Sequence, residues 1–183
     1  MIKSESNEWA NKEVAINLGY LTDIKVNHSH NDFLSWISNN PNRVILDVGC
    51  GNGNLYHLMK CGKYNGIDVN PHNIEFARSN VTSPDIFTCG NVEEFDISPF
   101  DVLYFDSTLS FLKNPLSLLS KFHKQGNIVF LTRLKLDSST FVSYYTWAGM
   151  NNPSHNWSFC LVDFEKLGYS VTCIGSSYIL EAK

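Results

Sequence analysis

Short apolar runs separated by helix-length stretches recur between residues 44 and 132, and then the pattern changes. Val44 to Val48, Tyr64 to Val69, Asp85 to Cys89, Phe100 to Phe105 and Asn127 to Thr132 each read as a strand. Between them Leu55 to Met59, Pro71 to Asn80 and Asn114 to His123 read as helices, with Pro71 in the first turn of the second. Strands alternating with helices predict a parallel sheet with helices on both faces, because a parallel connection has to cross over the sheet. Towards the end, one more helix, Leu161 to Leu167, stops at Gly168. Two strands follow, Tyr169 to Ile174 and Tyr178 to Glu181. Gly175-Ser176-Ser177 is too short a link for a crossover, so these two must pair as an antiparallel hairpin.

Residues 5–40 carry Trp9, Val14, Leu18, Phe33, Trp36 and Ile37 at three- and four-residue spacings and read as two helices. Gly19 and Asn27-His28-Ser29-His30 break them, and Asn40-Pro41-Asn42 ends them. Nothing repeats and no linker divides the chain, so one domain over residues 1–183 is expected. With 43% hydrophobic residues and 17% charged ones, the composition is that of a folded chain. A net charge of −4 argues against a broad grip on nucleic acid. The first residues are polar with no apolar run behind them, and no stretch approaches membrane-spanning length. Cys50, Cys61, Cys89, Cys160 and Cys173 are scattered in apolar segments, form no CxxC pair and read as buried, reduced thiols. A cytoplasmic location is expected, and no metal, since no ligand spacing stands out.

Gly49, Gly51 and Gly53 fall between the first strand and its helix, the place where open parallel sheets bind ligands. Glycines let a backbone turn sharply and approach a ligand with no Cβ between them. A dinucleotide fingerprint would need Gly or Ala at position 54, where Asn stands. The run VILDVGCGNGNL, with Asp47 two residues ahead of Gly49, resembles motif I of the class I S-adenosylmethionine-dependent methyltransferases.

That resemblance implies an α/β fold, a Rossmann-like three-layer sandwich. Its sheet is mostly parallel and seven-stranded, ends in an antiparallel C-terminal hairpin, and has helices on both faces. It implies S-adenosylmethionine as the methyl donor and S-adenosylhomocysteine as the product. Gly49, Cys50, Gly51 and Gly53 would wrap the methionine part, and Asp47 would help hold its ammonium group. Asp68, at the end of the second strand, can accept from both ribose hydroxyls, and Val69 would pack on the adenine. Cys89-Gly90-Asn91-Val92-Glu93 resembles the third segment of the family. There Asn91 stands in for an Asp that accepts from the adenine amino group, with Val92 beside it. Phe105 and Asp106 end the fourth strand, and the carbonyl of one or the other would meet the ammonium. The histidine that many relatives carry just after is absent from Thr108-Leu109-Ser110-Phe111-Leu112.

The resemblance divides the chain into a helical cap over 1–41, a cofactor-binding core over 42–133, a substrate lid over 134–157, and a final helix and hairpin over 158–183. The expected acceptor is a small molecule, framed by Tyr144, Tyr145, Trp147, His155 and Trp157. No catalytic residue is fixed. His28, His30, Asp106 and His155 are the candidate bases, needed only for a weakly acidic or oxygen nucleophile. Two other readings of the residues are a non-catalytic module that binds the cofactor or scaffolds a partner, and a nicotinamide-dependent oxidoreductase. No oligomeric state is specified.

Overall fold

The computed structural model describes residues 30–60, 62–145 and 154–183. The first expected helix, His28, Cys61 and Trp147 lie outside the described residues. Of the cysteines expected to be buried, Cys50 is, but Cys89 and Cys173 are exposed because they sit on the two edge strands of the main sheet. The strands β1 (Val44–Val48), β2 (Lys63–Asp68), β3 (Phe87–Cys89), β4 (Val102–Asp106) and β5 (Ile128–Thr132) are parallel. Helices α1 (Asn31–Ser38), α2 (Asn54–Leu58), α3 (Pro71–Ser79) and α4 (Pro115–Gln125) flank them. A hairpin of β6 (Phe141–Tyr145) and β7 (Ser154–Ser158) follows, then α5 (Leu161–Lys166), β8 (Tyr169–Ile174) and β9 (Ser177–Ala182). The main sheet runs β3-β2-β1-β4-β5-β9-β8, with β9 antiparallel to both β5 and β8. This is the expected Rossmann-like sandwich with its terminal hairpin placed beside the fifth strand.

The two faces follow from period-two alternation along buried strands. Ile45, Val102, Tyr104 and Phe130 meet Phe33 and Ile37 of α1, Leu55 of α2, and Ile74 and Ala77 of α3. Their neighbours Leu46, Val48, Leu103, Phe105, Val129 and Leu131 meet Leu118, Leu119 and Phe122 of α4 and Phe164 of α5. Phe33 and Ile37 are four residues apart and therefore share one helix face; the Phe33 ring lies 4.2 Å from that of Tyr104. No helix among the described residues is long and apolar enough to cross a membrane.

Most element ends shift by a residue or two from the sequence reading, and three departures have a clear local reason. Pro84 starts a short 3₁₀ turn, Pro84–Ile86, so β3 begins only at Phe87. Asp101 precedes β4, and its carboxylate accepts from the Val44 amide at 2.8 Å, tying the start of β1. The segment expected as a lid carries the separate β6–β7 hairpin, in register from Phe141 opposite Ser158 to Tyr145 opposite Ser154. Trp157 Nε1 donates to the Leu112 carbonyl at 3.0 Å and fastens this hairpin beside the end of β4.

Candidate functional site

In a parallel sheet all strands end on one edge, so the segments after β1, β2, β3 and β4 converge there. Strand order reverses between β1 and β4, the switch point at which such sheets open a ligand crevice. Gly49, Gly51 and Gly53 occupy this edge with φ of 73°, 56° and 81°, the left-handed region that favours glycine. The Gly49 and Cys50 amides both donate to the Ile67 carbonyl, at 2.8 and 3.1 Å, folding the loop back over β2. A Cβ at Gly49 would run into the Thr108 side chain, and one at Gly53 would lie 2.7 Å from the Phe87 ring. The loop is therefore closed on its protein side by packing, with Cys50 a buried thiol beneath it whose pKa burial pushes up.

Asp47 is 4% exposed, yet it is a carboxyl facing the α1 side of the sheet. Its Oδ2 accepts from the Tyr64 hydroxyl at 2.8 Å. Burial dominates and pushes its pKa up to about 8; the Tyr64 bond opposes the shift, while Asp106 and Asp68 add to it. A carboxyl in this position gains most from an arriving cation, which would restore its charge. The expected ammonium partner fits that requirement.

Asp68 is half-buried at the end of β2. Its Oδ2 accepts from the Gly51 amide at 2.9 Å, and its Oδ1 accepts from the Asn70 amide at 2.8 Å and Asn73 Nδ2 at 3.4 Å. Burial raises its pKa against these three bonds. A carboxylate offers about four acceptor sites, so ribose hydroxyls would share it with the backbone. The side-chain oxygen of Asn73, close by, is buried without a hydrogen-bond partner. Asn91 accepts from the Glu93 amide at 3.0 Å, an Asx turn that aims its amide while leaving the oxygen a second lone pair. Val92 is buried and Val69 half-buried on the same edge.

The ends of β4 and β5 carry a polar cluster that spacing along the chain did not reveal. Asp106 is gripped by Arg133 through two bonds, Nε to Oδ1 at 2.6 Å and Nη2 to Oδ2 at 2.7 Å. Thr132 Oγ1 donates to Asp106 Oδ1 at 2.7 Å and lies 3.2 Å from the Tyr104 hydroxyl. That hydroxyl is 2.8 Å from Nδ1 of His30, which precedes α1. Ser107 and Arg133, next to the strand ends, both take left-handed φ, 64° and 51°, rare for residues with a side chain. Both oxygens of Asp106 are thus engaged, which disfavours it as a base. Phe105 is buried at the same strand end. His155 sits on the β6–β7 hairpin, its ring 5.3 Å from that of Tyr144.

Sequence reasoning overlooked Tyr64, Tyr104, Thr132 and Arg133. Register brings them in: Asp47 pairs with Tyr104 across β1 and β4, and Asp106 with Thr132 across β4 and β5. A cavity of about 370 Å³ near the start of β2 is lined by Tyr56, Met59, Lys60, Gly62 and Tyr64. It includes none of the glycine-loop residues, so it is separate from this edge.

The profile of the methyltransferase-domain family matches residues 39–135. A malonyl-[acyl-carrier protein] O-methyltransferase of Priestia megaterium is 29% identical over 104 residues, 51% of this chain and 38% of that protein. A ribosomal protein L11 methyltransferase of Burkholderia thailandensis is 36% identical over 85 residues, 44% of this chain and 27% of that protein. The matched stretch therefore spans well under half the length of either relative. Among solved structures, the magnesium protoporphyrin IX methyltransferase of Synechocystis PCC 6803, with bound SAH, superposes with a TM-score of 0.62. That match covers 95% of both chains at 15% identity, a likeness of fold. With the profile spanning more than half of its residues and the sheet order alongside, this chain belongs to the class I S-adenosylmethionine-dependent methyltransferase family.

Proposed function

We propose that this protein is an S-adenosylmethionine-dependent methyltransferase acting on a small-molecule acceptor in the cytoplasm. The observation that carries the reading is the convergence of Asp47, the glycine loop, Asp68 and Asn91 on one sheet edge at the switch point. Asp47 takes the ammonium; Gly49, Cys50, Gly51 and Gly53 follow the methionine chain with bare backbone. Asp68 takes the ribose hydroxyls, Val69 and Val92 line the adenine, and Asn91 accepts from its amino group. The carbonyl of Phe105 or Asp106 would meet the ammonium at the methionine end. When bound, the cofactor supplies an electrophilic methyl: the acceptor's lone pair forms the new bond while the carbon–sulfur pair returns to sulfur, giving S-adenosylhomocysteine. The protein's part is alignment and exclusion of water. Tyr144, His155 and Trp157 of the β6–β7 hairpin frame the acceptor end. The relatives named above take carrier-bound, protein and porphyrin acceptors, so a macromolecular acceptor is the competing outcome of a substrate screen.

Isothermal titration with S-adenosylhomocysteine tests the donor site. Binding in the micromolar range is expected. Because Asp68 also carries backbone bonds, the conservative Asp68→Asn is the informative variant, and it should weaken binding by about 10- to 100-fold, the worth of a charge-assisted hydrogen bond. No heat and no thermal shift at saturating ligand, or equal affinity in Asp68→Asn, would overturn the assignment. A tight response to NADH instead would favour the oxidoreductase reading.

A further inference from the structure

Four side chains from three separate segments form a continuous polar line on the α1 side of the sheet. His30 is 6% exposed, Tyr104 and Thr132 are buried, and Asp106 is 13% exposed, so water supplies little competition. Hydrogen bonds in such surroundings have a direction, because each hydroxyl carries a single proton.

Asp106 sets that direction. Its carboxylate is clamped by the Arg133 fork and accepts from Thr132 Oγ1 at 2.7 Å. With its proton committed there, Thr132 can only accept along the 3.2 Å contact with Tyr104, which makes the Tyr104 hydroxyl the donor. Tyr104 in turn has no proton left for the 2.8 Å contact with His30, so Nδ1 of His30 must carry one. The opposite assignment would set the Tyr104 and Thr132 oxygens face to face with nothing between them.

We infer that Tyr104, Thr132 and Asp106, clamped by Arg133, form a one-way hydrogen-bond chain that fixes His30 as the Nδ1–H tautomer and leaves its Nε2 as the nitrogen that accepts the acceptor's proton. The inference rests on the methyl-transfer reading above. In the step itself the acceptor's X–H bond breaks, its electron pair stays on the acceptor atom, and the proton joins Nε2. The resulting imidazolium has Asp106 Oδ2 3.9 Å from Nδ1 as counter-charge and releases the proton to solvent afterwards. The charged and titratable groups acting on His30 are Asp106, Arg133 and Tyr104. Burial lowers its pKa more than Asp106 raises it, with Arg133 also lowering it, which keeps the ring neutral and able to accept. His30 is the catalytic group in this scheme; the other four residues position it.

Histidine-selective ¹⁵N labelling reads the tautomer directly, since protonated and unprotonated ring nitrogens resonate far apart. In the wild-type protein at mildly alkaline pH, the His30 spectrum should show Nδ1 protonated and Nε2 bare. Thr132→Val removes the hydroxyl at nearly constant shape and should let the Nε2–H form become the major one, whereas Thr132→Ser should restore the wild-type pattern. Tyr104→Phe is the second variant should Thr132→Val fold poorly, and the same switch is expected. A protonated Nε2 in the wild type, or a tautomer indifferent to both variants, would overturn the chain. Parallel titration with S-adenosylhomocysteine separates the two levels. A wrong tautomer in a protein that binds the ligand defeats this inference alone, while absent binding defeats the methyl-transfer reading and the proton step with it.

Discussion

Asp47→Asn is expected to weaken S-adenosylhomocysteine binding by about 30- to 1,000-fold at mildly alkaline pH, since losing one partner of a buried charge pair costs about 2–4 kcal/mol. The loss should shrink as pH falls, and the reason lies in proton linkage. Burial holds the carboxyl of Asp47 at about 8, far above its ordinary value, so near neutrality the folded protein keeps a proton there. An ammonium ligand selects the ionised form and expels that proton. Affinity in the wild type should therefore climb with pH, by up to about tenfold per unit, until the carboxyl is ionised near pH 8. The variant, having nothing to expel, should be flat across the same window. Titrations in two buffers of different ionisation enthalpy would report the released proton. A flat wild-type profile would remove Asp47 from the ligand site. The same shift acts on stability with a defined sign. A carboxyl raised on folding contributes stability that is full below its unfolded value and is lost as pH rises through about 8.

Gly53→Ala is the second change with a large expected effect, and Gly126→Ala is its control. Both glycines have left-handed φ, 81° and 75°. At Gly126, which ends α4, a Cβ meets nothing within 4 Å, so only backbone strain of about 1–2 kcal/mol applies. At Gly53 the Cβ would also lie 2.7 Å from a ring carbon of Phe87, a residue with no exposed surface, and overpacking adds about 1–3 kcal/mol. For a chain of this size each kcal/mol moves the melting temperature by about 2–4 °C. Gly126→Ala should thus cost a few degrees and leave ligand affinity alone. Gly53→Ala should cost roughly 5–15 °C and most of the S-adenosylhomocysteine affinity, because the loop moves with Phe87. Equal melting temperatures in the two variants would show that the Phe87 contact yields freely.

Much of the fold could be read because its signals are local. Alternating strand and helix lengths fixed the parallel part, and the short Gly175-Ser176-Ser177 link, of which Gly175 and Ser176 form the turn and Ser177 already pairs with Ile174, fixed the hairpin. The β6–β7 hairpin escaped because Ser154 to Ser158 is polar and lacks a strand's composition. It is a strand through its pairing with Phe141 to Tyr145 and the Trp157 bond to Leu112. The glycine loop and Asp68 were legible for the same reason of locality: each is a short motif at a strand end. The Tyr104–Thr132–Asp106–Arg133 cluster was not, since His30 and Tyr104 are 74 positions apart and meet only after strand order and register are set. Asp47 shows an intermediate case. Its position was readable, but not the Tyr64 hydroxyl or the burial that governs its protonation.

Asp68 joins two stretches of backbone that the sequence keeps apart, accepting from Gly51 on one side and Asn70 on the other. Freezing those peptide units is thus completed when the chain folds, and little ordering is left for the moment of encounter. If Asp68 holds the ribose as proposed, these two stretches add no slow rearrangement to the capture of an adenosyl ligand. Discrimination among related nucleosides is then expressed in how long each one stays rather than how fast it arrives.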